Sequence, residues 1–265
     1  MSEAAPLVRV ERYGEGGHVA ELVLDRPEAM NAVSTAMAAA ISEATSRLGA
    51  DETVRAVVVS STHERAFCVG ADLKERNTLT DEQLRAQRPL ARAAYGGVLA
   101  LPVPVLAAVD GYALGGGLEI ALSCDLVVAG EGAVVGLPEV SVGVIPGGGG
   151  TQLLTRRVGW SRAASMIFTA RRLTAAEAHD LGVVDELVAT GSARGRALEI
   201  ATTIAGHSPV GVRNAKRAMR QGYDTDLASG LDIEDECWAA TAFSADRAEG
   251  VAAFAEKRRP VWPGR

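Results

Sequence analysis

Residues 111–125, GYALGGGLEIALSCD, set Glu119 among Leu118, Ile120, Ala121 and Leu122, directly after Gly115, Gly116 and Gly117. At helical spacing this segment is apolar nearly all round, the pattern of a buried helix. A carboxylate is expensive there unless it is paired, hydrogen-bonded or neutral. Three consecutive glycines add a backbone entropy cost. Both choices suit a place where something approaches the backbone closely and meets a carboxyl group. Glycines at a helix start leave N–H groups free and accessible. Such groups can bind an anion, or an oxygen that gains negative charge during a reaction. The plain alternative is a tight turn packed under another element.

A second unusual carboxylate, Glu139, lies in VVGLPEVSVGVIPGGGGTQ, between Pro138 and Val140 and ahead of Gly147 to Gly150. In isolation it reads as a surface-loop glutamate. A third stretch, RAFCVGADLKE, runs through Phe67 and Cys68 into a turn at Gly70–Ala71, and Asp72 is placed to cap a short helix. Phosphate-loop readings fail. Gly117 stands where a Walker loop needs lysine, and neither glycine cluster completes G-x-G-x-x-G. His18, His63, His179 and His207 are scattered, and Ser123 and Ser141 lack a serine–histidine–acid arrangement.

These residues need a scaffold, and the pattern supplies one. Val8 to Arg12 and His18 to Leu24 read as a strand pair, Arg55 to Ser60 and Val103 to Val109 as buried strands, and Leu126 to Ala129 and Ala133 to Gly136 as shorter ones. Ser34 caps a helix through Met37, Ile41 and Leu48, and a polar helix follows from Thr80 to Ala100. Gly111 is read as the start of a turn before the Glu119 helix. Strands apolar on both sides imply an α/β sheet covered by helices. Beyond about residue 190 only helices remain: Ser192 to Ala205, Pro209 to Gln221, Thr225 to Ala240 and Ala245 to Arg258. A mixed unit over 1–190 and a helical region over 191–265 are expected. No repeat at a fixed period is visible.

The 265 residues, 48% hydrophobic, can bury a substantial core, and a net charge of −6 argues against a general nucleic-acid binder. Three cysteines give neither a disulfide framework nor paired metal spacing. The stretch MSEAAPLVRVERYGEGG lacks the charged start and apolar core of a secretory leader. No apolar run approaches the roughly 18 residues of a membrane span. These readings predict a soluble cytoplasmic protein with no metal and no membrane or nucleic-acid partner.

Taken together, LDRPEAMNAV (24–33), FCVGADLKE, DGYALGGGLEIALSCD, LPEVSVGVIPGGGGTQLL and AAFAEKRRPVW (252–262) resemble the crotonase, or enoyl-CoA hydratase/isomerase, superfamily over nearly the whole chain. The resemblance implies a spiral of strand–strand–helix units followed by a helical trimerisation region, with two trimers commonly stacked as a hexamer. It implies an acyl-CoA thioester substrate and no cofactor, coenzyme A being part of the substrate. The thioester oxygen would be held by the amides of Ala71 and Gly116, with Gly116 bare so that the thioester can approach. Glu119 would take a proton from the attacking water, and Glu139 would hold the proton that reaches Cα. Asp72, Leu73 and Lys74 would lie along the substrate, and Phe254 and Lys257 would reach coenzyme A from a neighbouring subunit. The segment 77–89 would form part of the acyl pocket wall. Glu28 departs from the lysine of many relatives. Both glutamates together favour reversible hydration of a trans-2-enoyl-CoA to a 3-hydroxyacyl-CoA. The alternatives are Δ3,Δ2-enoyl-CoA isomerisation, another thioester-enolate reaction, or a catalytically idle acyl-CoA-binding or RNA-binding scaffold.

Overall fold

The structure, a computed structural model, describes residues 6–265; the first five, part of the N-terminal stretch read above for a leader, lie outside the described residues. Strand β1 (Val8–Tyr13) pairs antiparallel with β2 (Val19–Leu24), whose six residues are all buried. Helix α1 (Thr35–Ala50) starts where the Ser34 hydroxyl accepts from the Met37 N–H, and it buries Met37, Ile41, Ala44 and Leu48.

The chain then repeats one manoeuvre three times. Strand β3 (Ala56–Ser61) leads to the short β4 (Ala66–Cys68) and to helices α2 (Leu73–Arg76) and α3 (Asp81–Leu99). Strand β5 (Val105–Val109) leads to β6 (Tyr112–Leu114) and α4 (Gly116–Ser123). Strand β7 (Leu126–Gly130) leads to β8 (Val134–Gly136), a 3-10 turn over Glu139–Val142, and helices α5 (Gly150–Val158) and α6 (Trp160–Phe168). After β9 (Arg172–Thr174) and α7 (Ala175–Asp180), strand β10 (Glu186–Val188) closes the series.

Two sheets result, in the orders β1-β2-β3-β5-β7-β10 and β4-β6-β8-β9. Each passage adds one parallel strand to each sheet, so successive passages stack as turns of a spiral. This agrees with the architecture the resemblance implies. It corrects the reading of Gly111 as the start of a plain turn: Tyr112–Leu114 is a strand paired with β4 and β8. Three-residue strands are too short to show an alternating pattern, so the second sheet was invisible to periodicity.

Helix α8 (Ala193–Ala205) lays Ala193, Ala197, Ala201 and Ala205 on Val19, Val58, Leu106 and Val128, the outer face of the large sheet. Its spacing of four gives one flat, small-residue stripe that lets the backbone sit close to the strands. The last strand therefore ends near residue 190, but the first helix beyond it still covers the sheet. Helices α9 (Pro209–Gly222), α10 (Leu227–Ala242) and α11 (Ala245–Glu256) pack chiefly on one another. They leave Met219, Leu227, Trp238, Phe243 and Phe254 exposed. Among the described residues no helix is long and apolar enough to cross a membrane.

Candidate active site

The three glycines before Glu119 have three separate reasons. Gly115 adopts φ 52° and ψ −126°, a conformation other residues enter at a cost. A Cβ on Gly116 would overlap the hydroxyl oxygen of Tyr95 from α3. A Cβ on Gly117 would overlap the Cys68 carbonyl of β4. The bare helix start thus lets α4 sit directly on the turn that follows β4. Beside the substrate approach that the resemblance implies, a bare Gly116 also makes room for the Tyr95 hydroxyl.

The same closeness brings two amides together. Gly70, at φ 96°, lies against the start of α4, and a Cβ there would stand 3.1 Å from the Gly116 nitrogen. The Ala71 peptide is pinned on either side, the Val33 N–H donating to the Gly70 carbonyl at 2.7 Å and the Asp72 N–H to the Val33 carbonyl at 3.1 Å. Neither the Ala71 nor the Gly116 amide donates to any acceptor among the described residues. Two free N–H groups, one at a helix N-terminus, form a site for an oxygen that gains negative charge.

Glu119 is buried, 3% exposed. Its Oε1 accepts from the Gly148 N–H at 2.7 Å and the Gly150 N–H at 2.8 Å. Gly150 opens α5, so the carboxyl faces the positive end of that helix as well. Burial pushes the Glu119 pKa up, and these two amides pull against it. The glycine run 147–150 is therefore the cradle of the first glutamate, a link the sequence did not reveal.

Glu139 begins the 3-10 turn after Pro138, and it is half-buried rather than a surface-loop residue. Its Oε2 is fully enclosed and has no hydrogen-bond partner among the described residues. Burial, with Glu119 beside it as a further cause, pushes the Glu139 pKa up to about 7. One carboxyl is thus supported by two amides of another loop, while the other has only its own backbone N–H pulling against burial. That asymmetry favours the proton on Glu139 and the charge on Glu119.

The remaining candidates divide. Asp72 caps α2, accepting from the Lys74 and Glu75 N–H groups at 3.0 and 3.1 Å, and it accepts from Arg26 at 2.7 Å. Its carboxylate is occupied within the chain. Leu73 and Lys74 follow on the exposed side of α2. Phe254, 87% exposed, and Lys257 end α11, which packs on α9 and α10, so this chain alone does not bring them to the glutamates. Glu28 is exposed and stands 3.4 Å from Arg26. Within 77–89, Arg88 donates to the Gly147 carbonyl at 2.6 Å and so braces the cradle loop.

Sequence reasoning missed Tyr95. It is 6% exposed and sits where α3 crosses α4, its ring against Gly148 and its hydroxyl at Gly116. The available signal was the spacing of Ala94, Tyr95 and Val98, which marks the one buried stripe of an otherwise polar helix.

The Enoyl-CoA hydratase/isomerase family profile matches residues 14–265. YngF of Bacillus subtilis, which carries a provisional enoyl-CoA hydratase/isomerase name, is 44% identical over 93% of this chain and 95% of its own length. Human mitochondrial methylglutaconyl-CoA hydratase is 40% identical over 94% of this chain and 75% of its length. The crystal structure of an enoyl-CoA hydratase from Bacillus anthracis superimposes with a TM-score of 0.94 at 38% identity, covering 98% of this chain and all of that one. With its two-sheet spiral and its end-to-end similarity to these proteins, the chain belongs to the enoyl-CoA hydratase/isomerase family of the crotonase superfamily.

Proposed function

We propose that the protein is an enoyl-CoA hydratase, adding water to a trans-2-enoyl-CoA to give a 3-hydroxyacyl-CoA. The observation that carries this reading is the unequal pair of buried carboxyls, Glu119 on two amides and Glu139 with an unpartnered oxygen, beside two free N–H groups. Ionised Glu119 removes a proton from water as its oxygen bonds to Cβ. The double-bond electrons move to the thioester oxygen, which the Ala71 and Gly116 amides receive. The enolate then collapses as Cα takes the proton from Glu139. Glu119 ends protonated and Glu139 ionised, and exchange through solvent restores both. The chemistry needs one base and one acid near neutral pH, and the two environments favour that division.

No metal or redox cofactor enters this scheme, because coenzyme A arrives with the substrate. The exposed apolar residues of α9 to α11 support assembly into a trimer or a pair of stacked trimers. In such an assembly Phe254 and Lys257 would contact coenzyme A bound to a neighbour, and Lys74 would contact it within its own subunit.

The test is decay of the conjugated-thioester absorbance when the purified protein meets crotonyl-CoA, followed by longer and branched trans-2-enoyl-CoAs, with the 3-hydroxy product identified by NMR. Decay with that product supports hydration. Silence across the panel removes the hydratase reading, and conversion of a 3-enoyl-CoA to its conjugated isomer without water addition would replace it with isomerisation.

A further inference from the structure

Tyr95 is a polar group that the scheme above leaves unused. Its side chain is buried, 6% exposed, yet no described residue hydrogen-bonds its hydroxyl. The hydroxyl keeps a small opening to solvent, so water can serve it until a ligand oxygen takes that place. The hydroxyl points at the start of α4, into the position a Cβ of Gly116 would take. Gly116 has helical dihedrals. In that conformation a residue's Cβ lies on the same side of the N–Cα bond as its own N–H. An oxygen accepting from the Gly116 N–H is therefore an immediate neighbour of the space the hydroxyl fills. The Gly70 Cα, 3.5 Å from that same Cβ position, brings the Ala71 turn to its other side.

We propose that the Tyr95 hydroxyl is a third hydrogen-bond donor to the acyl oxygen of the bound thioester, beside the amides of Ala71 and Gly116. This rests on the reading that the thioester oxygen occupies the two-amide site. The phenol is suited to donate: burial, Cys68 and the two glutamates all hold its proton on. The ring packs against Gly148, whose N–H holds Glu119, so the same side chain spans the cradle of the base and the site of the oxyanion. A donor aimed where charge develops strengthens in the transition state more than in the ground state.

The experiment compares wild type with Tyr95→Phe, which deletes one oxygen that has no partner among the described residues. Three quantities are read: the crotonyl-CoA hydration kinetics, the melting temperature, and the absorbance of bound 4-dimethylaminocinnamoyl-CoA, whose band moves to the red as its carbonyl is polarised. Expected are a fall of about tenfold to a hundredfold in kcat, a KM nearly unchanged, an unchanged melting temperature and a smaller red shift. An unchanged shift in the variant overturns the proposal, whether kcat is kept or falls together with stability. A wild type that neither shifts the probe nor hydrates crotonyl-CoA removes the hydratase reading, and this inference with it. A wild type that does both, matched by Tyr95→Phe, removes this inference alone.

Discussion

Two buried glutamates in this chain have opposite surroundings. Glu21 on β2 is fully buried, and both its oxygens accept from Arg194 of α8 at 2.7 Å while the Ser60 hydroxyl donates to Oε1 at 2.6 Å. Burial raises its pKa, but Arg194, Ser60 and Tyr13 overcome that and hold it below the usual carboxylate range. Glu119 has two amides and no hydrogen-bonded cation, and its pKa is raised. Glu139, with one oxygen unpartnered among the described residues, is raised to about 7. Burial is common to all three, so it is the partner that separates them. A carboxylate matched to a guanidinium is part of the framework, here tying α8 to the sheet. A carboxyl without one keeps a titratable proton available.

Glutamine substitutions should break the comparison cleanly. Glu119→Gln and Glu139→Gln should each lower hydration by about 10²–10⁴-fold. Both should melt no earlier than wild type, since each removes a buried, unmatched acid. Steady-state kinetics and calorimetry on the same preparations check this. An early-melting, inactive Glu139→Gln would show that Glu139 supports the fold instead.

Gly117→Ala should come next in effect. Its methyl would overlap the Cys68 carbonyl, backbone against backbone, so α4 must move away from β4. Overpacking of this kind costs about 1–3 kcal/mol or more. Activity should fall with stability, because the shift separates the Gly116 amide from Ala71. A crystal structure or a melting curve identical to wild type would contradict the close approach.

Glu21→Gln should lose stability and keep kcat. Arg194 is half-exposed and can turn to solvent, so the loss should be on the order of 1–3 kcal/mol, below that of a fully enclosed pair. Denaturant unfolding measures it, and a kcat that falls along with stability would blur the distinction drawn here.

The smallest effect is in pH dependence, and its sign differs between the two regions. Glu139 has a folded pKa above its unfolded one, so the stability it contributes is full below the usual carboxylate range and is lost as pH rises through about 7. Glu21 has a lowered folded pKa, so its contribution is present at neutral pH and is lost as pH falls through its folded value. Melting curves from pH 5 to pH 8 should therefore show the gain from Glu139→Gln growing with pH. The deficit of Glu21→Gln should stay level over that range and shrink only in curves carried below the usual carboxylate range.

The legible part of the site was the part written locally. Glu119 stood out because a charged residue inside an apolar helix breaks its pattern, and Asp72 because capping is a short-range rule. The long strands and all four C-terminal helices were likewise readable from periodicity. Glu21 passed as one polar residue in an apolar strand, since Arg194 lies 173 positions away and nothing local announces it. Tyr95 passed as part of a polar helix. The cradle at Gly148 and Gly150 was visible as glycines but not as donors, because its target sits on another turn of the spiral. The spiral itself came from the resemblance. Its short strands, AFC, YAL and VVG, share position in the second sheet rather than sequence.

The central claim is that at neutral pH the proton of the carboxyl pair resides on Glu139, poised for Cα. The direct measurement is a carbon-13 NMR titration of the glutamate carboxyls, with Glu139→Gln identifying the Glu139 resonance. A midpoint near 7 for Glu139, with Glu119 ionised through neutral pH, is the result the account predicts. A Glu139 that titrates in the ordinary carboxylate range, leaving both groups charged at neutral pH, would contradict it.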